Sequence, residues 1–343
     1  MSNMIRLIVA DGASTRYLKR VQDCPAASSF HMMIPKNDAE DSLIALAPDA
    51  DAILCYKAEL TGSVIRAATS LRFIQKHGLN CRNIDIATAT ERNVMVATTP
   101  LMRNISVAEH AMTLMLACAR KVIPGYQAVV NATYQEMGLE PIRTSQWNYR
   151  GNWAGIEGIT DLSGTIAGVI GMGDIGIEIA KRCSAFGMTV YYYQRTPHPR
   201  EAEAALGISY LPLNKLLAVS DYVVLVIPHT PESEELIGAR ELGLMKASAT
   251  LINVGRGGLI DEEALISALQ SKRLAMAGLD VYRMEPLPDS SPLIRLPNVV
   301  LLPHTGGSSN LSKDRDMSAS LENIKRFFRG ERPNGIMNAP QGH

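Results

Sequence analysis

Short apolar runs recur along the chain, and the segments between them are long enough for helical crossovers. IRLIVA (5–10), AILCY (52–56), LRFIQ (71–75) and VMVATT (94–99) have the near-continuous apolar character of strands covered on both faces. A second series follows: TIAGVIG (165–171), MTVYYY (188–193), YVVLVIP (222–228), TLINVG (250–255), LAMAGLDVY (274–282) and NVVLLP (298–303). Strands alternating with helical stretches predict parallel sheets. The expected fold class is α/β, with two successive parallel-sheet units, one of them completed by the last helix.

Three segments break the rhythm. SVAEHAMTLMLACARK (106–121) predicts a nearly all-apolar helix, opened by a capping box of Ser106 and Glu109 and buried between two bodies. Residues 131–164 hold Trp147 and Trp153, several glycines and little periodicity, and read as a loop or arm with an exposed role. From Ser309 a charged amphipathic helix is expected, with Met317, Leu321, Ile324 and Phe327 or Phe328 on one face, followed by a short tail. No short-period repeat or low-complexity segment interrupts this order.

Composition narrows the function classes. A length of 343 residues suits two domains at about 150 residues each. Lys plus Arg and Asp plus Glu are equal at 34 each, so no global field favours nucleic acid or an anionic membrane as a partner. The five cysteines are scattered without a CxxC, which predicts neither a disulfide frame nor a metal site and fits a reducing, cytoplasmic compartment. The opening MSNMIRLIVADG reads as a first strand and not as a signal peptide. No apolar run approaches the roughly 20 residues of a membrane span.

GVIGMGDIGIEIAKRC places Gly171, Gly173 and Gly176 in GxGxxG spacing between an apolar strand and an amphipathic helix. That context makes the pattern a dinucleotide site: the glycines allow a tight turn, close approach to a pyrophosphate and close helix packing. The helix N-terminus adds partial positive charge. Asp174 is out of keeping there unless its carboxylate caps the helix and points away. An Asp or Glu is usual at the end of the second strand, where it binds a ribose diol and repels a 2′-phosphate. Here the chain has Gln194, Arg195 and Thr196. Arg195 can pair with a 2′-phosphate and Thr196 can donate a hydroxyl bond, so NADP(H) is the preferred cofactor, with NAD(H) possible. The competing role for Arg195 is a solvated loop residue, or one stacked on adenine with either coenzyme.

Three further charged groups fall just beyond strand ends, where open α/β sheets build ligand sites: Arg256 in LINVGRGGLIDEEAL, Glu285 in LDVYRMEPLP and His304 in NVVLLPHTGG. A guanidinium fork suits a carboxylate or 2-keto oxygen. An imidazole passes a proton near neutral pH. A carboxylate can orient that imidazole and favour its protonated form. Singly each has a blander role, as a solvated Arg, a structural His or a turn; jointly, after a dinucleotide loop, they compose a keto-acid reductase.

With NIDIATATERNVMV, SVAEH, GVIGMGDIG, PHTPES and those three segments, the chain resembles the D-isomer-specific 2-hydroxyacid dehydrogenase family over nearly its whole length. The resemblance implies a flavodoxin-like substrate domain from residues 1–105 and 308–343, and a Rossmann domain from 106–307 that includes a dimerisation helix and arm. It implies Arg256, Glu285 and His304 as catalytic residues. The implied cofactor set is Gly171, Gly173, Asp174, Ile175, Gly176, Gln194, Arg195, Thr196, Thr230, Val254, Gly255, Asp280 and Gly306. Leu79 and Asn80 would hold the substrate carboxylate through their amides, together with Arg256 and His304. A homodimer is expected. The family's substrate loop usually reads like GAGYDNID, whereas residues 78–85 read GLNCRNID, with Asn80, Cys81 and Arg82 replacing Gly, Tyr and Asp. The activity expected is NADPH-preferring reduction of small 2-keto acids of the glyoxylate or hydroxypyruvate type. The alternatives are an NAD-linked dehydrogenase of a larger or phosphorylated hydroxy acid, and a dinucleotide-sensing, corepressor-like interaction protein.

Overall fold

The computed structural model describes residues 4–37, 39–309 and 312–338, with the last helix's side chains described from Arg315 onward. The chain divides into two compact units, Met1–Asn104 with Ser308–His343, and Ile105–Gly307. Strands of the first unit are β1 (Ile5–Val9), β2 (Phe30–Met33), β3 (Ala52–Cys55), β4 (Phe73–His77) and β5 (Met95–Thr99). They form a five-stranded sheet in the order β2-β1-β3-β4-β5, every neighbouring pair parallel. That is the flavodoxin-like order. The helix Ser312–Phe328 returns to this unit and seats Met317, Leu321, Ile324 and Phe327 against Leu7, Val9, Leu54 and Phe73. Of the expected closing tail, the part beyond Asn338 lies outside the described residues, as do the two positions between Ser309 and this helix.

The second unit contains β6 (Ile166–Ile170), β7 (Thr189–Tyr193), β8 (Ile208–Tyr210), β9 (Tyr222–Leu225), β10 (Thr250–Asn253), β11 (Met276–Leu279) and β12 (Val299–Leu301). Their order is β12-β11-β10-β9-β6-β7-β8, all parallel, and the direction of winding reverses between β6 and β9. This is a doubly wound Rossmann sheet, whose ligand crevice lies at the reversal. Side-chain alternation builds a core on each face. Val169, Tyr192, Val224 and Ile252 join one cluster, while Ile170, Leu225 and Leu251 join the other.

The structure corrects several boundaries. The helix holding SVAEH runs from Met102 to Ala119, so Ser106 is inside it and caps nothing. No breaker stands between Pro100 and Ser106, and the helix propagates back to the proline. Its buried residues, among them Ala111, Leu114, Met115 and Cys118, belong to the core of the second unit. β2 and β8 were not expected; they are four and three residues long and stand at sheet edges, too short to show a pattern. β4 lies two residues beyond LRFIQ because its polar end is buried and bonded. Gln75 donates to Thr99 Oγ1 at 2.9 Å, Lys76 donates to Tyr56 O, and His77 Nδ1 is 3.2 Å from the Tyr17 hydroxyl. β9 and β11 are shorter than the apolar text around them. The segment 131–164 follows a helix, Val122–Val130, and has no strand or helix of its own. Trp147 is 88 % exposed, whereas Trp153 packs edge-on against Tyr134 within the arm.

Candidate active site

The glycine loop joins β6 to the helix Asp174–Ala185 at the reversal of strand order. Gly171 has φ +105°, and a side chain there would come within 2.6 Å of Ile227 Cγ2 in the loop after β9. A Cβ on Gly176 would lie 2.1 Å from Gly171 O. These two glycines are required by the protein's own packing. Gly173 differs: it is the helix N-cap, and a Cβ there would meet no atom within 4 Å. The space it leaves, beside the N-terminus of a three-turn helix, fits a pyrophosphate, so Gly173, Asp174, Ile175 and Gly176 can hold a dinucleotide. Asp174 stands in the first helical turn, where an acid complements the helix dipole.

At the end of β7, Gln194 turns back and donates to Thr196 O at 2.7 Å, while Arg195 and Thr196 are exposed. Two residues the sequence reading did not single out shape this loop. His198 Nε2 lies 2.8 Å from Met172 O in the glycine loop, and its amide donates to the Tyr192 hydroxyl at 2.7 Å. That hydroxyl donates to Glu203 at 2.7 Å; burial and the bond to Glu203 push the phenol up to about 12. Glu232, on the turn after β9, is held below the ordinary carboxylate range, chiefly by the Thr230 hydroxyl and in smaller part by the charge of Arg195. Thr230 opens that turn, its amide bonded to Ser233 Oγ at 2.8 Å. Nearby, His229 pairs with Glu234.

Beyond β10, Asn253 holds the next turn together, accepting from Gly255 N at 3.0 Å and donating to Arg256 O at 2.9 Å. Val254 is buried, whereas Arg256 is exposed with its Nη1 on Gly255 O at 2.6 Å. The following Gly257 touches the β11 loop so closely that a Cβ would be 1.9 Å from the Tyr282 carbonyl. Asp280 closes β11 and is 2 % exposed. Its two oxygens accept from Thr305 N and Gly306 N, each at 2.8 Å, and His110 Nε2 stands 2.9 Å from Oδ1. Burial alone would raise this carboxyl; the contact with His110 and the two amides more than reverse it, and its pKa is lowered.

His304 and Glu285 meet: Nδ1 is 2.6 Å from Oε2. The imidazole is 43 % exposed and its backbone has φ +54°, in the left-handed region. Glu285 Oε1 accepts from Tyr282 N at 3.1 Å. A cavity of about 500 Å³ lies against the pair, walled by Pro286, Leu287, Leu301, Leu302 and Pro303. The second unit therefore brings together the His304–Glu285 pair, the Arg256 turn packed on the Tyr282 loop, and Asp280 and Gly306. Leu79 and Asn80 belong to the first unit, after β4. They are exposed, and neither amide donates to another protein group among the described residues. The Asn80 side chain accepts from Arg82 N at 3.0 Å. Among the described residues no group of three His, Cys, Asp or Glu side chains could hold a metal, and no helix is long and apolar enough to cross a membrane.

His110, Tyr282, His198 and Glu232 were not foreseen. The only textual sign of them is proximity, since each lies inside or just beyond a segment chosen for another residue.

Comparison with known proteins gives a consistent picture. Residues 112–306 match the family model described as "D-isomer specific 2-hydroxyacid dehydrogenase, NAD binding domain". A glyoxylate reductase of Korarchaeum cryptofilum is 33 % identical over 337 residues, covering 97 % of this chain and 96 % of that protein. A D-3-phosphoglycerate dehydrogenase of Methanocaldococcus jannaschii is 34 % identical over 343 residues, covering 98 % of this chain and 60 % of that longer protein. Among solved structures, an NADPH-dependent glyoxylate/hydroxypyruvate reductase from Sinorhizobium meliloti aligns over 97 % of both chains with a TM-score of 0.58 and 26 % identity.

Proposed function

The chain belongs to the D-isomer-specific 2-hydroxyacid dehydrogenase family and is a nicotinamide-dependent oxidoreductase; on that premise we propose that it is an NADPH-preferring reductase of small 2-keto acids, of the glyoxylate or hydroxypyruvate type, yielding D-2-hydroxy acids. The observation that carries this is the His304–Glu285 pair at 2.6 Å, at the carboxyl edge of a sheet whose glycine loop is shaped for a dinucleotide. When bound, the reduced coenzyme supplies the hydride. His304 donates the proton to the carbonyl oxygen, and Glu285 orients the ring and stabilises the imidazolium. Arg256 clamps the carboxylate and polarises the ketone. The amides of Leu79 and Asn80, which donate to no protein group among the described residues, are open to a substrate carboxylate. Gly171, Gly173, Asp174, Ile175 and Gly176 hold the pyrophosphate side of the coenzyme. Thr230, Val254, Gly255, Asp280 and Gly306 line its nicotinamide half.

NADPH preference rests on the absence of an acid from Gln194–Arg195–Thr196 and on the exposure of Arg195. The protein is also proposed to be a homodimer, through the helix Val122–Val130 and the arm after it, where Tyr126, Val129 and Trp147 are exposed. Cytoplasmic residence fits its five free cysteines, four of them buried.

The test is oxidation of NADPH and NADH, followed at the nicotinamide absorbance band, with glyoxylate, hydroxypyruvate and pyruvate. Turnover with a higher kcat/KM for NADPH is expected. Equal or better use of NADH removes the coenzyme preference. Tight coenzyme binding with no turnover across a broad keto-acid panel favours the sensor role instead.

A further inference from the structure

Tyr282 touches Glu285 directly and holds the chain that leads into His304. Its amide donates to Glu285 Oε1 at 3.1 Å, which leaves Oε2 for His304. Its hydroxyl donates to Leu302 O at 2.8 Å, with Leu279 O at 3.2 Å. Leu302 is followed by Pro303, whose ring fixes φ, so anchoring that carbonyl constrains the path into His304. His304 itself holds φ +54°, a conformation a non-glycine residue keeps only when its surroundings impose it. The Asp280 carboxylate grips the two amides after it, those of Thr305 and Gly306. Asp280 and Tyr282, two residues apart at the end of β11, thus bracket the strained turn on its downstream and upstream sides.

Tyr282 is 8 % exposed and belongs to the apolar cluster with Leu279 and Leu293, a task phenylalanine would perform equally well. The hydroxyl is therefore left over from packing. Burial pushes it up to about 12, so it stays a neutral donor across the working pH range.

From this geometry we infer that the Tyr282 hydroxyl is a positioning residue: it acts on the reaction through the His304–Glu285 pair and touches neither substrate nor coenzyme. The inference rests on His304 being the proton donor. Without the hydroxyl the carbonyl of Leu302 is released, the turn at His304 relaxes, and the imidazole drifts from the geometry that proton transfer needs.

The variant is Tyr282→Phe, studied in the full-length protein with NADPH. Its coenzyme Kd is expected to match the parent's, and its melting temperature to fall by no more than the few degrees that one lost hydrogen bond costs. Its kcat falls about tenfold, as small misplacements of a catalytic group do, and the solvent deuterium isotope effect on kcat rises because proton transfer has become slower. In protein carrying ¹⁵N-histidine, the downfield imidazole N–H resonance of the pair shifts or vanishes. A double-variant cycle removes the effect of any general loss of structure: in a His304→Gln background, Tyr282→Phe costs nothing further. The inference is overturned if kcat, the isotope effect and the resonance are unchanged, or if Tyr282→Phe costs the same factor with and without His304. Should the parent reduce no keto acid, the proposed function fails, and the N–H resonance still decides the role of Tyr282.

Discussion

His304 is the point at which the residue-scale chemistry is most exposed to test. If it donates the proton, His304→Ala should lower kcat by about 10²–10⁴ while the coenzyme Kd, from fluorescence titration, stays put; near-normal kcat would take His304 out of the mechanism. Arg256→Ala should raise KM for the keto acid and lower kcat together, because a clamp that also polarises the ketone acts in both states. Unchanged steady-state constants would move that role to another side chain. The coenzyme loop offers a prediction that the sequence alone did not suggest. Glu232 feels the charge of Arg195, so it competes with any 2′-phosphate there. Glu232→Gln should tighten NADPH more than NADH, and equal changes in the two Kd values would count against Arg195 as the phosphate partner. The candidate residues that the text singles out are those whose type announces chemistry at a strand end: Arg256, Glu285, His304. His110 and Tyr282 were illegible because a histidine within an apolar helix and a tyrosine after a strand have ordinary packing roles. Only the fold sets His110 against Asp280, and only the fold brings the carbonyls of Leu302 and Leu279 to the Tyr282 hydroxyl.

At the scale of elements, the loops after β10, β11 and β12 behave as one assembly. Gly257 fits against the Tyr282 carbonyl only because it has no Cβ. Gly257→Ala should therefore destabilise the protein by about 1–3 kcal/mol or more, read as a fall in the urea midpoint, and should lower kcat by spreading the β10 and β11 loops. A midpoint equal to the parent's would mean the two loops are not locked. Asp280 ties β11 to the turn after β12, and its lowered pKa has a definite sign. A carboxyl that ionises more readily in the folded state stabilises fully above its unfolded value, near about 3.9, and loses that contribution as pH falls through the lower folded value. Asp280→Asn should thus cost stability at neutral pH, and the gap from the parent should shrink in urea titrations below about pH 4. A constant gap would show that the charge of Asp280 is not what holds the turn. Strand identity was legible wherever the apolar run was long and both faces were covered, as in β6 and β10. It failed where a strand was brief, as in β8, or where buried polar groups found partners on neighbouring elements, as Gln75, Lys76 and His77 do in β4.

The whole molecule raises the question of what covers its arm. A chain with equal numbers of cationic and anionic side chains gains no solubility from net charge. Yet the helix Val122–Val130 turns Tyr126, Val129 and Val130 outward, and Trp147 beyond it is almost wholly exposed. Large apolar patches on a soluble protein mark contacts, and a pairing face needs about 800 Å² per partner to be stable. The sequence showed this segment only as a loss of periodicity with two tryptophans in it, because apolar residues that join no core of their own chain need follow no helix or strand period. If two copies meet there, light scattering should report twice the 37.3 kDa chain mass. The pair Tyr126→Asp and Val129→Asp should then bring the mass down to that of one chain, since burying two carboxylates without partners outweighs what the patch can contribute. Both substituted side chains stand in open solvent within their own chain, so the fold of each monomer should persist by circular dichroism. A parent protein that runs at the single-chain mass across a wide concentration range would sink the homodimer. A substituted protein that still doubles would place its interface elsewhere.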